Sequence, residues 1–200
     1  MGGDCAKPGV YEVPYGLEVA KLLEMVGADD PAIVQVGGAS GEMLGKASFG
    51  RKICFSDVAT GGAVMIFSSH RNVLDIVDRF LKFFADESCG YCTPCRVGII
   101  FLRERIQKVM HGFAEDADLN YLRELSRTIM MTSRCGLGSS APKSILNSMD
   151  QFPLVYSSHL RESKDGLQAS FNIQKALDES RRLAKRTSMI YDPVYKEEDE

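Results

Sequence analysis

Glu87-Ser-Cys-Gly-Tyr-Cys-Thr-Pro-Cys-Arg-Val-Gly98 sets three cysteines, Cys89, Cys92 and Cys95, at every third position. A fourth, Cys135, follows in Thr132-Ser-Arg-Cys-Gly-Leu-Gly138. A segment with sulfurs so spaced wraps one corner of a metal centre and leaves another corner to a distant ligand. Four thiolates in this pattern suit a cubane iron–sulfur cluster. The two-cluster bacterial arrangement needs Cys-Pro where Ile99 stands, and the plant-type arrangement needs a longer gap between its first two cysteines. Structural zinc also uses Cys-x-x-Cys, but as two paired knuckles. Here three thiols crowd one segment with no His nearby. A zinc-binding scaffold and a redox-sensing regulatory module are the alternatives to an electron carrier.

On both sides of this segment the apolar period is about 3.6. Val73, Val77, Phe80 and Phe84 share one helical face, with Ser69 as the candidate N-cap. Gly90 and Pro94 interrupt the pattern, which places the three cysteines on a loop and starts the next helix near Arg96. Ile99, Leu102, Ile106 and Val109 form its apolar stripe. A further helix from about Asp118 carries Leu119, Leu122, Leu125 and Ile129, and another runs from Ala141 to Met149. Two helices between Cys95 and Cys135 make an out-and-back hairpin, which returns the chain to its starting end. Residues 68–153 thus read as a small helical bundle with both cysteine loops at one end. Arg96 and Arg134 each adjoin a cysteine and lower the cost of burying an anionic cluster. Glycines at 90, 136 and 138 let backbone amides approach the sulfurs.

Upstream the period is two. Val10–Val13, Ala32–Val36, Arg51–Phe55 and Ala63–Phe67 read as strands, and Leu17–Val26 as a helix closed by Gly27. Residues 1–67 therefore form a small α/β unit, and the whole chain is α+β. The stretch Gly37–Lys46 fails the phosphate-loop spacing at Ser40 and Ala47 and reads as a surface loop. Residues 154–200 comprise one amphipathic helix around Phe171, Ile173, Ala176 and Leu177, and an acidic tail, Lys196–Glu200, expected to be disordered.

Composition narrows the function further. With 24 Lys and Arg against 27 Asp and Glu, the net charge of −3 offers no footprint for nucleic acid. The longest apolar stretch, Gly62–Phe67, is too short to span a bilayer. Neither a signal peptide nor a distributed disulfide framework is visible, so a cytoplasmic location with reduced thiols is expected. Cys5 and Cys54 read as small buried apolar residues. His70, His111 and His159 are dispersed and read as solvated or capping residues.

The Glu87–Gly98 block, with Ser133-Arg-Cys-Gly-Leu-Gly138, resembles the iron–sulfur domain of the NADH-binding flavoprotein family. That family includes the complex I flavoprotein subunit and the large diaphorase subunit of NAD-reducing nickel–iron hydrogenases. Pro142-Lys-Ser-Ile-Leu146 and Phe152-Pro153 look closest to the diaphorase branch. Gly3–Pro14 and Gln35–Gly41 are similar to the soluble-ligand-binding β-grasp domain that precedes the cluster domain. The resemblance implies a β-grasp domain over 1–67 and a helical 4Fe–4S domain over 68–153. It implies Cys89, Cys92, Cys95 and Cys135 as the 4Fe–4S ligands, relaying electrons between reduced FMN and further clusters. The family's flavin- and NADH-binding domain lies before the β-grasp region, so FMN and NAD(H) are expected on a missing domain or a partner chain. The implied partners are flavin and iron–sulfur subunits of a multisubunit oxidoreductase, including nickel–iron hydrogenase subunits.

Overall fold

The computed structural model describes residues 1–161 and 173–185. The chain divides into two compact units, Met1–Glu162 and Ser163–Glu200. In the second, the described element is one helix, Ile173–Ala184. Phe171 and the acidic tail lie outside the described residues.

In the first unit the short strands β1 (Gly2–Gly3) and β2 (Leu17–Glu18) lead to helix α1 (Val19–Met25). Then come β3 (Pro31–Val36), β4 (Glu42–Gly45), β5 (Lys52–Ile53) and β6 (Val64–Ser68). The main sheet runs β1-β6-β3-β4, and β2 pairs with β5 separately. Only the β1–β6 pair of the main sheet is parallel. Both faces of β3 are covered. Val34 and Val36 pack with Val19, Leu22, Leu23 and Val26 of α1, whereas Ile33 joins the core beneath the helices. Burial on two sides explains why Ala32–Val36 is almost continuously apolar, without the alternation of a half-exposed strand.

Two features differ from the expected strands. Val10–Val13 forms no strand: Tyr11 packs on the α1 core, as the alternation implies, but no neighbouring strand pairs with this stretch. The supposed surface loop Gly37–Lys46 contains β4, which pairs with β3 from Ile33↔Gly45 to Val36↔Glu42 and buries Met43 and Leu44. A strand this short, flanked by glycines, has too few residues to display a period.

The helical part comprises α2 (Val73–Asp86), α3 (Thr93–Met110), α4 (Asp116–Thr132), α5 (Gly136–Ser140), α6 (Lys143–Gln151) and α7 (Pro153–Ser157). The expected stripes are buried: Val73, Val77, Phe80 and Phe84 on α2, and Ile99, Leu102, Ile106 and Val109 on α3. Each such side chain contributes roughly 1.5–3 kcal/mol by leaving water.

The helix starts differ from those expected. Asn72, not Ser69, caps α2, its Oδ1 accepting the Leu74 N–H at 2.8 Å; the Ser69 hydroxyl is engaged by Asp30. α3 begins before Arg96, since Pro94 sits in its first turn, where a missing N–H costs nothing. α4 begins with a reciprocal capping box between Glu115 and Asp118. Gln151 ties bundle to sheet, its Oε1 accepting the Gly45 N–H at 3.2 Å and the Ser48 hydroxyl at 3.0 Å.

Candidate iron–sulfur centre

The α3–α4 hairpin closes tightly because of one residue. Gly98 is buried on α3, and a Cβ there would lie 2.6 Å from Ile129 Cδ1 on α4. The close approach returns residues 132–138 to the start of α3. Cys92 is the N-cap of α3 and Cys95 lies in its first turn, where unpaired N–H groups favour negative charge. Cys135 immediately precedes α5. The α5 turn then packs on the α3 start: a Cβ at Gly138 would come within 3.1 Å of Cys95 Cβ and 2.5 Å of Ser133 Oγ.

All four cysteines thereby share one electrostatic neighbourhood. Burial pushes the Cys95 thiol up, the Ser88 hydroxyl opposes that, and the charges of Cys92, Cys135 and Cys89 each push it further up. Ser88 Oγ stands 3.3 Å from Cys95 Sγ. The Cys92 thiol is held below its ordinary value, chiefly by the backbone N–H of Arg134, then by that of Cys95, and also by the Arg134 charge. Cys95 is buried, Cys92 half-buried, and Cys89 and Cys135 are exposed.

The two arginines are used differently from one another. Arg96 donates through Nη1 to the Gly90 carbonyl at 2.6 Å, closing the loop on itself. Gly90 accommodates this with a left-handed φ of 74°. Arg134 crosses to the other loop: Nη1 donates to the Tyr91 hydroxyl at 2.7 Å, and the guanidinium carbon sits 4.8 Å from the ring centroid.

No three His, Cys, Asp or Glu side chains among the described residues stand close enough to hold a single metal ion. Four thiols on two adjoining loops are nevertheless the donor set a cubane cluster takes. Ser133 Oγ, buried beside Gly138 without a hydrogen-bond partner, offers a donor that a sulfur atom at this place would satisfy. On these observations the residues fit an iron–sulfur cluster.

Ser88, Tyr91 and Ser133 do not stand out in the sequence. Their only signal there is nearness to cysteines, and the partner of Tyr91, Arg134, comes from the other loop. Cys5 and Cys54 are only half-buried, against expectation, and Cys54 Sγ contacts Ser56 Oγ at 3.5 Å. His111 Nδ1 and His159 Nδ1 each approach a carbonyl one turn back, at 2.6 and 2.7 Å. A separate cleft of about 510 Å³ lies between the Gly37–Gly41 turn and α6, lined by Ser40, Glu42, Asp57, Lys143 and Asn147. Arg51 engages both of its carboxylates.

Comparison with known proteins defines the class. Residues 75–159 match the NADH-ubiquinone oxidoreductase-F iron–sulfur binding region, so this part of the chain is an iron–sulfur binding region. The NAD-reducing hydrogenase HoxS subunit alpha of Cupriavidus necator is 40% identical over 178 residues, 88% of this chain and 30% of that subunit. An NADH-quinone oxidoreductase subunit of Streptomyces coelicolor is 31% identical, over 80% of this chain and 38% of that one. The crystal structure of an NAD+-reducing [NiFe]-hydrogenase in the H2-reduced state superposes with a TM-score of 0.76 at 32% identity, covering 94% of this chain and 33% of the other. The chain belongs to the NADH-binding flavoprotein family and corresponds to the C-terminal part of its members. It spans about a third of the length of these relatives. Among the described residues no helix is long and apolar enough to cross a membrane.

Proposed function

We propose that Cys89, Cys92, Cys95 and Cys135 hold one 4Fe–4S cluster. Through it the protein relays single electrons between a flavin and NAD(H) site and further clusters of a multisubunit NAD(H)-linked oxidoreductase. The hydrogenase diaphorase branch is the best fit, because the hydrogenase subunit is the most similar of the relatives named above. The observation that carries this reading is the meeting of two loops at Cys95, where a Cβ at Gly138, three residues after Cys135, would come within 3.1 Å of Cys95 Cβ.

When bound, the cluster supplies reversible one-electron chemistry. The protein's part is to bury Cys95, to direct backbone N–H groups at Cys92, and to leave Cys89 and Cys135 near solvent. FMN and NAD(H) are assigned to another domain or a partner chain, the partners to flavin, iron–sulfur and nickel–iron hydrogenase subunits, and the location to the cytoplasm. The β-grasp domain is assigned to 1–67 and the cluster domain to 68–153, with Ile33 and Met43 of the first packed into the helical core of the second. Of the remaining residues, 154–161 stay with the helices through buried Tyr156, and the second unit begins at Ser163.

Anaerobic purification with metal and sulfide analysis tests the assignment. About four iron and four acid-labile sulfide per chain are expected. One zinc per chain without sulfide would refute it and favour the zinc scaffold. The isolated chain is also expected not to reduce an artificial acceptor with NADH; flavin-dependent turnover by the pure chain would contradict the relay assignment.

A further inference from the structure

We infer that Arg134 and Tyr91 form a clamp that fastens the Cys135 loop to the Cys89–Cys95 loop, and that the Arg134 charge raises the reduction potential of what those loops hold. The inference rests on the reading of the four cysteines as cluster ligands and adds the residues that position them.

Three observations support the clamp. The two side chains are 43 residues apart, each beside a candidate ligand, Tyr91 between Cys89 and Cys92 and Arg134 next to Cys135. They meet twice, by the 2.7 Å hydrogen bond and by the stacking at 4.8 Å, so the guanidinium is fixed in both distance and orientation. Lastly, no carboxylate among the described residues lies in ion-pair range of Arg134, unlike Arg51, Arg71, Arg103 and Arg105, which are all paired. No described carboxylate neutralises its charge, which stands beside a candidate ligand on each loop.

Two consequences follow from elementary physics. A contact that exists without the cluster holds the ligand loops together in advance, so less ordering remains when the cluster binds. Reduction adds one negative charge, and a fixed cation nearby favours the more negative state. Removing the cation therefore lowers the midpoint potential.

Four substitutions separate the parts of the clamp. Arg134→Lys keeps the charge and loses the stacked fork. Arg134→Gln loses both. Tyr91→Phe keeps the ring and loses the hydroxyl, and Tyr91→Ala loses both. Tyr91 is 71% exposed, so its replacement leaves the core untouched. Two readouts are taken on the purified chain: cluster loss to an iron chelator, and EPR-monitored titration with dithionite. Arg134→Lys and Tyr91→Ala are expected to lose the cluster roughly tenfold faster than wild type, at the low end for outer-shell partners of metal ligands. Tyr91→Phe should fall between them and wild type. Arg134→Gln should lose the cluster as fast and also show a lower midpoint potential, which Arg134→Lys restores towards wild type. Wild-type retention and wild-type potential in Arg134→Gln would overturn the inference. Cys135→Ser runs in parallel: if it keeps full iron, sulfide and signal, the ligand assignment itself fails; if it alone loses them, only the clamp does.

Discussion

Ser88 Oγ lies 3.3 Å from Cys95 Sγ and, on its other side, accepts the Gly90 N–H at 3.3 Å. One hydroxyl thus joins the most buried of the four cysteines to the turn that carries Cys89. A ligating sulfur is a thiolate with no proton to give, so with a cluster bound the Ser88 hydroxyl is the donor to it. Replacing Ser88 with Ala removes that donor while leaving all four thiols in place. The expected outcome is a cluster that still forms but has a lower midpoint potential, because a hydrogen bond to a ligand sulfur favours the reduced, more negative state. An EPR-monitored redox titration checks it, and an unchanged potential would exclude Ser88 from tuning.

The cysteines themselves separate into two groups. Ser at position 89, 92, 95 or 135 is expected to abolish the reduced-state EPR signal or leave a damaged cluster with substoichiometric iron. Ser at Cys5 or Cys54 should leave signal and iron content at wild-type levels, since neither residue lies on the two loops that carry the candidate ligands. Loss of the signal in Cys54→Ser would show that a fifth thiol takes part.

Gly98→Ala tests the hairpin that brings the two loops together. Alanine is the better helix former by ~1 kcal/mol, yet its Cβ would stand 2.6 Å from Ile129 Cδ1 and 2.7 Å from Ile129 Cγ1. Overpacking of this kind costs about 1–3 kcal/mol, so a net loss of stability is expected. In an Ile129→Val background, which removes Cδ1, the same change should cost less. Thermal melts of the double-mutant cycle measure the coupling.

Asp118 anchors the far end of the same hairpin. Its side chain is 6% exposed and bonds to Lys108 Nζ at 2.7 Å, to the Glu115 N–H at 2.8 Å and to Arg105. Burial pushes the carboxyl up, but Lys108, the Glu115 amide and Arg105 together outweigh it and hold the value below 3.8. A depressed native value means that the charged carboxylate stabilises the fold above the ordinary carboxylate value. The contribution disappears as pH falls below 3.8 and through the native value. Asp118→Asn should therefore lower stability near neutrality, by about 1–3 kcal/mol for unmatched partners, and flatten the acid limb of the stability profile. Denaturant melts from pH 7 to pH 3 report both effects.

The parts of the fold that are legible in the sequence are those with long, one-sided periods. The faces of α2 and α3 follow the i, i+3, i+4 rule because each helix buries one stripe. Where an element is short or buried on both faces the rule has nothing to act on, so β4 reads as loop. Cap positions fail for another reason. Ser69 and Asn72 are both good N-caps, and what separates them is that Asp30, far away in sequence, takes the Ser69 hydroxyl. At the candidate site the cysteines are legible from spacing alone, whereas Ser88 and Tyr91 are not, since each is defined by what it touches.

By itself the sequence determined the candidate donor set and the family. Three thiols at every third position before a helix, and a fourth in Ser-Arg-Cys-Gly, are local facts that need no fold to be read. Only the tertiary structure decided how those donors stand. It buried Cys95 and exposed Cys89 and Cys135, turned Arg96 inward to a carbonyl, and sent Arg134 across to Tyr91. The reason is that these outcomes depend on how closely α3 and α4 approach, which is set by the absent Cβ of Gly98 against Ile129. Contacts between residues distant in sequence follow from such packing, and no periodicity within one segment encodes them.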